Sequence, residues 1–306
     1  MLGISADEWY NMSMEELHKP VLWSEVLEVL QPKLGESYLD LTAGYAGHAR
    51  RILEVTRNYK DSVLVDRDEN AIEVLEERFR DEPIRIVKMD FYNAVLQEIE
   101  CGNCYDLILM DFGVSSPQLD KAERGFSFAK DGPLDMRMDQ AQELDAEKII
   151  NHWGEGRMVE IFERYGELKP GFAKMVAREI VHGRPWRSTK SLGEMLAKFG
   201  RGTKVHPATR VFQAIRIAVN DELGEIERTL EILTKVMKPG ARVAAISFHS
   251  LEDRLVKEWM RRESSMGEES ALEVITKKPI TAETEELFIN PRARSAKLRA
   301  ARRRNS

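Results

Sequence analysis

Through the first third of the chain, short apolar runs alternate with stretches whose apolar positions recur at helical spacing, the pattern of strands and helices taking turns. The runs predict strands over residues 37–41, 62–66, 84–88 and 106–111. The periodic stretches predict helices over 24–30, 47–56 and 69–80. That alternation implies a doubly wound α/β sheet of Rossmann-like type, because parallel neighbours need helical crossovers. From about residue 140 to 199 only helical periodicity remains, in segments 145–153, 157–165, 172–182 and 191–199. A long amphipathic helix is predicted over 207–237, closed by Pro239 and Gly240, and strand character returns over 242–247. The economical reading is one sheet interrupted after its fourth strand by an all-helical insert. Residues 1–117 and 207–306 then build the sheet domain and 118–206 the insert.

Composition changes this picture little. With 306 residues and 42% hydrophobic content, the chain can bury a sizeable core as one large or two modest domains. No apolar run approaches bilayer-spanning length and the first residues lack the features of a secretory leader, so the expected location is the cytoplasm, with no membrane partner. Cys101 and Cys104 form one CxxC in a turn-like CGNC without further ligands and read as two loop thiols. Six scattered histidines show no metal-ligand spacing. Charge is more informative. The net −6 argues against a nucleic-acid binder, yet seven Lys or Arg and no acid fall within residues 290–306, leaving 39 basic against 52 acidic residues elsewhere, or −13. Residues 178–210 add eight basic positions against Glu179 and Glu194. Positive patches on an acidic chain fit local phosphate contact; a solvated tail and a solvated helix face are the plainer alternatives.

Candidate chemistry concentrates after the predicted strands. Asp40 is followed by the small-residue loop Gly44, Tyr45, Ala46, Gly47 and His48, where backbone can approach a ligand and a helix N-terminus supplies oriented N–H groups. Asp66 follows about twenty residues later, at the next strand end, where an acid can accept both hydroxyls of a ribose; an ordinary helix cap is the alternative. A dinucleotide fingerprint needs glycine where Ala46 stands, so that backbone can touch pyrophosphate; an adenosyl sulfonium, which has none, is favoured. The fourth strand ends at Asp111 and opens the long loop DFGVSSPQLDKAERGFSFAKDGPLDMRMD, far longer than a connection requires.

The words GVSSPQLD, AERGFSF and DGPLDMRMD in that loop resemble those of the RsmH (MraW) family. So do HKPVLWSE from His18, HPATRVFQAIRIAVNDEL from His206, ISFHSLEDRLVK from Ile246 and NPRARSAKLR from Asn290, which together span nearly the whole chain. The resemblance implies a class I S-adenosyl-L-methionine methyltransferase sheet acting on N4 of one cytidine in the decoding region of 16S ribosomal RNA. It also implies cofactor-binding positions at Ala46, Gly47, His48, Asp66, Phe91, Asp111 and Gln118, with glycine more usual where Ala46 stands. The small ribosomal subunit is the implied partner, and a homodimer is left open.

The exocyclic amine of cytosine is a poor nucleophile, so a carboxylate that accepts its N–H bonds and favours the developing charge is needed. Asp111 is the expected catalytic residue, helped by Ser115 and Ser116, with a role in cofactor binding alone as its alternative. Phe126 and Phe128 are expected to stack on an extruded base or to pin the loop. Arg124, Arg137 and Arg210 are expected to hold phosphates, and His249, with Asp253, to line the same crevice. Aminomethylases of DNA carry a Pro-Pro-aromatic element where this chain has Ser115, Ser116, Pro117 and Gln118, which speaks against DNA. A non-catalytic assembly factor is the remaining rival. Ser250, His249 and Asp253 are too close in sequence to form a hydrolase relay.

Overall fold

The computed structural model describes residues 20–200, 207–265, 267 and 270–305; His18, Lys19, His206 and Ser306, which belong to segments singled out above, lie outside them. The chain divides into two compact units, residues 1–113 with 226–306 and residues 114–225.

The first unit is a seven-stranded sheet. In chain order its elements are α1 (Trp23–Leu30), β1 (Tyr38–Asp40), α2 (Gly47–Thr56), β2 (Val63–Asp66), α3 (Glu69–Arg78), β3 (Arg85–Lys88), α4 (Phe91–Glu100) and β4 (Tyr105–Asp111). After the second unit come β5 (Met237–Ser247), α12 (Ser250–Ser264), β6 (Leu272–Val274), α13 (Thr284–Ile289) and β7 (Lys297–Arg303). The strand order is β3-β2-β1-β4-β5-β7-β6, the first five parallel, with β7 antiparallel to both β5 and β6. The chain steps outward from β1 to β3 and then returns to place β4 on the other side of β1. The switch point therefore lies between the carboxyl ends of β1 and β4, where open α/β sheets bind ligands. Leu39, Leu64, Leu107, Ile108 and Leu109 are buried because central parallel strands are covered on both faces.

The second unit contains α5 (Ser116–Asp120), α6 (Ala146–His152), α7 (Glu155–Arg164), α8 (Pro170–His182), α9 (Thr189–Ala197) and α10 (Pro207–Asn220), and no strand among its described residues. Its core includes Ile149, Phe162, Val176, Ile180, Leu192, Val211, Phe212 and Ile215.

Three expectations are corrected. The insert does not end at residue 206: α10 buries Val211, Phe212 and Ile215 in the helical core and belongs to that unit. The single helix over 207–237 is two, α10 and α11 (Glu222–Ile232), broken at Asp221, whose φ of 49° is left-handed and cannot continue a helix. The basic tail is not a solvated end. Residues 297–303 are β7, inside the sheet, because Leu298, Ala300 and Ala301 are apolar or small enough to be buried between neighbours.

Candidate functional site

Three carboxylates stand at the carboxyl ends of the adjacent strands β2, β1 and β4. Asp40, fully buried, accepts the Tyr38 hydroxyl (2.6 Å) and the Thr42 N–H (3.1 Å). Burial pushes its carboxyl up to about 7 against the pull of those bonds, and the charge of Asp66 adds to the rise. Asp66 accepts the N–H groups of Gly44 and Asp68, each at 2.8 Å. Burial lifts it to about 6. The bond from Gly44 means that the end of β2 holds the loop after β1 in place. In that loop Gly44 and Ala46 are both left-handed, at φ 51° and 65°. A Cβ on Gly47 would meet Pro20 Cγ at 2.8 Å, so a side chain there would force the Pro20 ring to shift.

Asp111 is stitched to the same loop, because its N–H donates to Thr42 Oγ1 at 2.6 Å. Its Oδ2 lies 3.7 Å from His48 Nε2, and neither Asp111 Oδ1 nor His48 Nε2 has a hydrogen-bond partner among the described residues. Burial, then the charges of Asp40 and Glu252, raise Asp111 well above the usual carboxylate range, although 27% of its side chain remains exposed. Burial and the Arg51 charge lower His48 to about 4, opposed by a bond to the Val21 backbone. The imidazole is therefore neutral at pH 7. With its other nitrogen on the Val21 carbonyl, Nε2 is left as a bare acceptor beside the Asp111 carboxyl, which becomes an acceptor as well once it ionises. An N–H donor or a cation satisfies both at once.

Phe91 opens α4 beside the N-cap Asp90, which accepts from Asn93 N–H at 2.9 Å, and its ring lies tilted 6.1 Å from Phe112. Ala46, Gly47, His48, Asp66, Phe91 and Asp111 thus all follow strand ends on one edge of the sheet. His249 follows the end of β5, where it caps a helix. Its Nδ1 accepts the Glu252 N–H (3.4 Å) in a capping box that starts α12, and its Nε2 is 3.1 Å from Glu252 Oε1. Asp253 binds Arg299 Nε (2.6 Å) and Lys297 Nζ (3.2 Å). These two side chains anchor α12 and β7.

Most of the expected residues of the helical unit make contacts that hold that unit together. Ser115 caps α5, accepting the Gln118 N–H (3.4 Å) while Gln118 Oε1 accepts the Ser115 N–H (3.0 Å); Ser116 is the first residue of that helix. Arg124 is 2% exposed and donates to the carbonyls of Arg137 and Met138, at 3.0 and 3.1 Å. Arg137 grips Asp135 and the carbonyls of Gln140 and Gln142. Two of the three arginines expected to hold phosphates thus organise this loop: the buried Arg124 directs its donors at carbonyls, and Arg137 pairs with Asp135. Phe126 is a core residue, and Phe128 packs edge-on against Phe212 at 5.2 Å, so the two rings pin the loop. Arg210 is exposed, with one bond to the Glu167 carbonyl. The sequence reading missed Thr42, which joins two strand ends, and Asn220, which bonds Met136 and Met138. Neither lies in a spacing pattern that would reveal it.

S-adenosylmethionine fits the sheet's edge on chemical grounds: left-handed small residues leave backbone accessible, Asp66 keeps free acceptor capacity, and the orphaned Asp111 and His48 atoms call for a donor or cation. A model of the MraW methylase family matches residues 15–304 of this chain. The chain is 45% identical over 297 residues to the ribosomal RNA small subunit methyltransferase H of Crocosphaera subtropica, covering 94% of this chain and 90% of that protein. It is 44% identical to the one from Synechocystis sp., over 98% of this chain and 99% of that protein. It is 40% identical to the one from Acidobacterium capsulatum, over 94% and 99%.

Proposed function

The chain belongs to the MraW methylase family, and from that premise we propose that it methylates the exocyclic N4 of one cytidine in the decoding region of 16S ribosomal RNA, within the small ribosomal subunit in the cytoplasm. S-adenosylmethionine, when bound, supplies an electrophilic methyl group on a sulfonium. Gly44 to His48 would hold it through backbone, Asp66 through the ribose hydroxyls and Phe91 through the base. Asp111 does the chemistry's proton work. Its Oδ1, without a partner among the described residues, accepts an N–H of the attacking amine, orients the lone pair, and holds the proton as nitrogen loses it. A carboxyl raised well above its ordinary range is suited to keep that proton. His48, neutral and carrying a bare Nε2, fixes the other side of Asp111. Ser115 and Ser116, four and five positions after Asp111 in sequence, are assigned to contacts with the RNA substrate.

The observation that carries this reading is the orphaned Asp111 oxygen at the switch point of the sheet, beside two further carboxylates. Mass spectrometry of nucleosides from small-subunit RNA, with and without the gene, tests it: N4-methylcytidine should vanish in the deletion and return with the intact chain. Return with an Asp111→Asn chain at normal levels would point to a non-catalytic or merely cofactor-binding role for that residue. Methylation of DNA cytosines instead would select the other rival.

A further inference from the structure

The block NPRARSAKLR and the helix before it take no part in the methyl-transfer site. In α13, none of the residues Thr284–Ile289 is buried, and Phe288 is 90% exposed. Ile289 beside it is also exposed. Next in sequence is a short 3-10 turn, Pro291–Ser295, which buries Ala293 and turns Arg292 and Arg294 to solvent. Arg294 makes no hydrogen bond or ion pair among the described residues. Lys297 opens β7, half-buried, with its ammonium on Asp253. Phe288 and Ile289, adjacent and both exposed, make a small contiguous apolar patch, and the cations placed immediately after it restrict which partner fits.

Register fixes where this segment lies. Lys297 pairs with Ser247, the last residue of β5, so β7 begins at the sheet edge that carries Asp40, Asp66 and Asp111. A second tie agrees: Glu286 of α13 accepts the Leu22 N–H at 2.8 Å, next to Val21, whose backbone bonds His48. The exposed ring and the free arginine therefore share the edge of the sheet with the methyl-transfer residues, all within one compact unit.

We propose that Phe288 is a stacking platform for one unpaired base of single-stranded RNA, with Arg292 and Arg294 holding its flanking phosphates; this rests on the ribosomal RNA reading above. Every base has a π-face, so a lone exposed ring binds single strands without reading sequence, while arginines track the backbone. Glu283 and Glu285, exposed at the start of α13, repel phosphate and set the direction: the strand runs from Phe288 toward the 3-10 turn, away from the acids. A protein partner for the apolar pair Phe288 and Ile289 would want the acids and the cations neutralised together. RNA needs only the cations.

The test uses the full chain with a short fluorescein-labelled single-stranded RNA and, as comparison, the same length of duplex RNA. Phe288→Ala should weaken single-strand binding about 10-fold, the scale of one lost base stack, and leave duplex binding unchanged. Phe288→Trp should retain affinity and show indole quenching on single-strand addition. Arg294→Gln should reduce the slope of log affinity against log salt by about one. Cofactor affinity in each variant serves as the control for folding. Equal single-strand affinity in wild type and Phe288→Ala overturns the platform while leaving the methylation reading intact. An intact chain that binds neither RNA overturns both, and self-association lost in Phe288→Ala with RNA binding unaltered assigns the patch to a second copy instead.

Discussion

Ala46 sits at φ 65°, a left-handed conformation that costs an L-residue about 1 kcal/mol, at the N-cap of α2 where a glycine is the more usual occupant in the resembled family. Its Cβ is fully buried, which offsets part of that cost. Ala46→Gly should therefore change stability by less than about 1 kcal/mol, whereas Ala46→Val, β-branched and forced left-handed, should lose about 2 kcal/mol or more in urea unfolding. Asp66 has two functions at one carboxylate. Because it already holds the Gly44 and Asp68 N–H groups, Asp66→Ala would loosen the loop as well as remove ribose contacts. Asp66→Asn keeps the size but sets its NH2 against one of those two N–H donors, so it also weakens the loop; with a thermal melt as the check on folding, calorimetry should show cofactor affinity down by about 2 kcal/mol or more, and unchanged affinity would remove Asp66 from the cofactor's contacts. For Asp111→Asn, single-turnover methylation at saturating cofactor should slow by about 10² or more. A near-normal rate would leave Asp111 a binding role only. Asp66 and Asp111 were legible in the sequence because strand ends are marked by apolar runs that stop at an acid. Thr42 was not, because nothing local distinguishes a hydroxyl that reaches across to a strand end far along the chain.

Among the elements, the five parallel strands and the first three helices of the sheet unit followed from periodicity, and the failures have identifiable causes. A left-handed Asp221 splits a helix whose apolar spacing continues smoothly across the break. α4 and α12 went unread because each follows a strand closely and begins at a cap, Asp90 or His249, in a stretch read for its chemistry. β7 was hidden by its charge. Four of its seven residues are Lys or Arg, which suggests a solvated tail, yet Arg299 is buried against Asp253 at 2.6 Å and Arg303 bonds the carbonyls of Thr234 and Met237. Removing one partner of a buried pair leaves the other uncompensated, so Asp253→Ala should cost about 3 kcal/mol, more than Arg299→Met, which removes the charge needing a partner and keeps bulk. Thermal melts of the two variants decide this. Truncation after Arg299 should unfold the sheet rather than merely lower RNA affinity, because it deletes the ladder from Ala300 to Arg303 against β5 and β6. A truncated chain with normal melting and weakened RNA binding would return the tail to the phosphate-gripping role that composition alone suggests.

At the scale of the whole molecule, the three raised carboxylates give stability a pH dependence of definite sign. Asp40 at about 7 and Asp66 at about 6 hold protons in the folded state that the unfolded chain releases near pH 4, and Asp111 acts in the same direction. His48, at about 4 in the fold against an ordinary 6.5, opposes this across the same interval because it takes up a proton on unfolding, but the rises at Asp40 and Asp66 together exceed its drop. Stability of the cofactor-free protein should therefore still fall as pH rises from about 4 to 7, and Asp40→Asn should flatten that fall; urea unfolding at pH 5 and pH 7.5 measures it. Asp106, Asp135 and Asp253 do not obscure this window: against the pull of burial, hydrogen bonds from Lys238, Arg137 and Arg299 hold them below the usual range, so they act at lower pH. Affinity for a cationic cofactor should run the opposite way and strengthen across the same interval as the carboxylates ionise. The position of β7 bears on the order of assembly as well. It lies between β5 and β6 in space but follows every other described strand in sequence. During synthesis, β5 thus emerges with one edge bare, and it stays a template for wrong strand pairing until ribosomal translation has passed residue 303. Completion of the sheet depends on a late, long-range closure, which makes folding slow relative to the local helical unit. A protein that acts on ribosomal RNA would then finish its own sheet only after residue 303 has left the ribosome that made it.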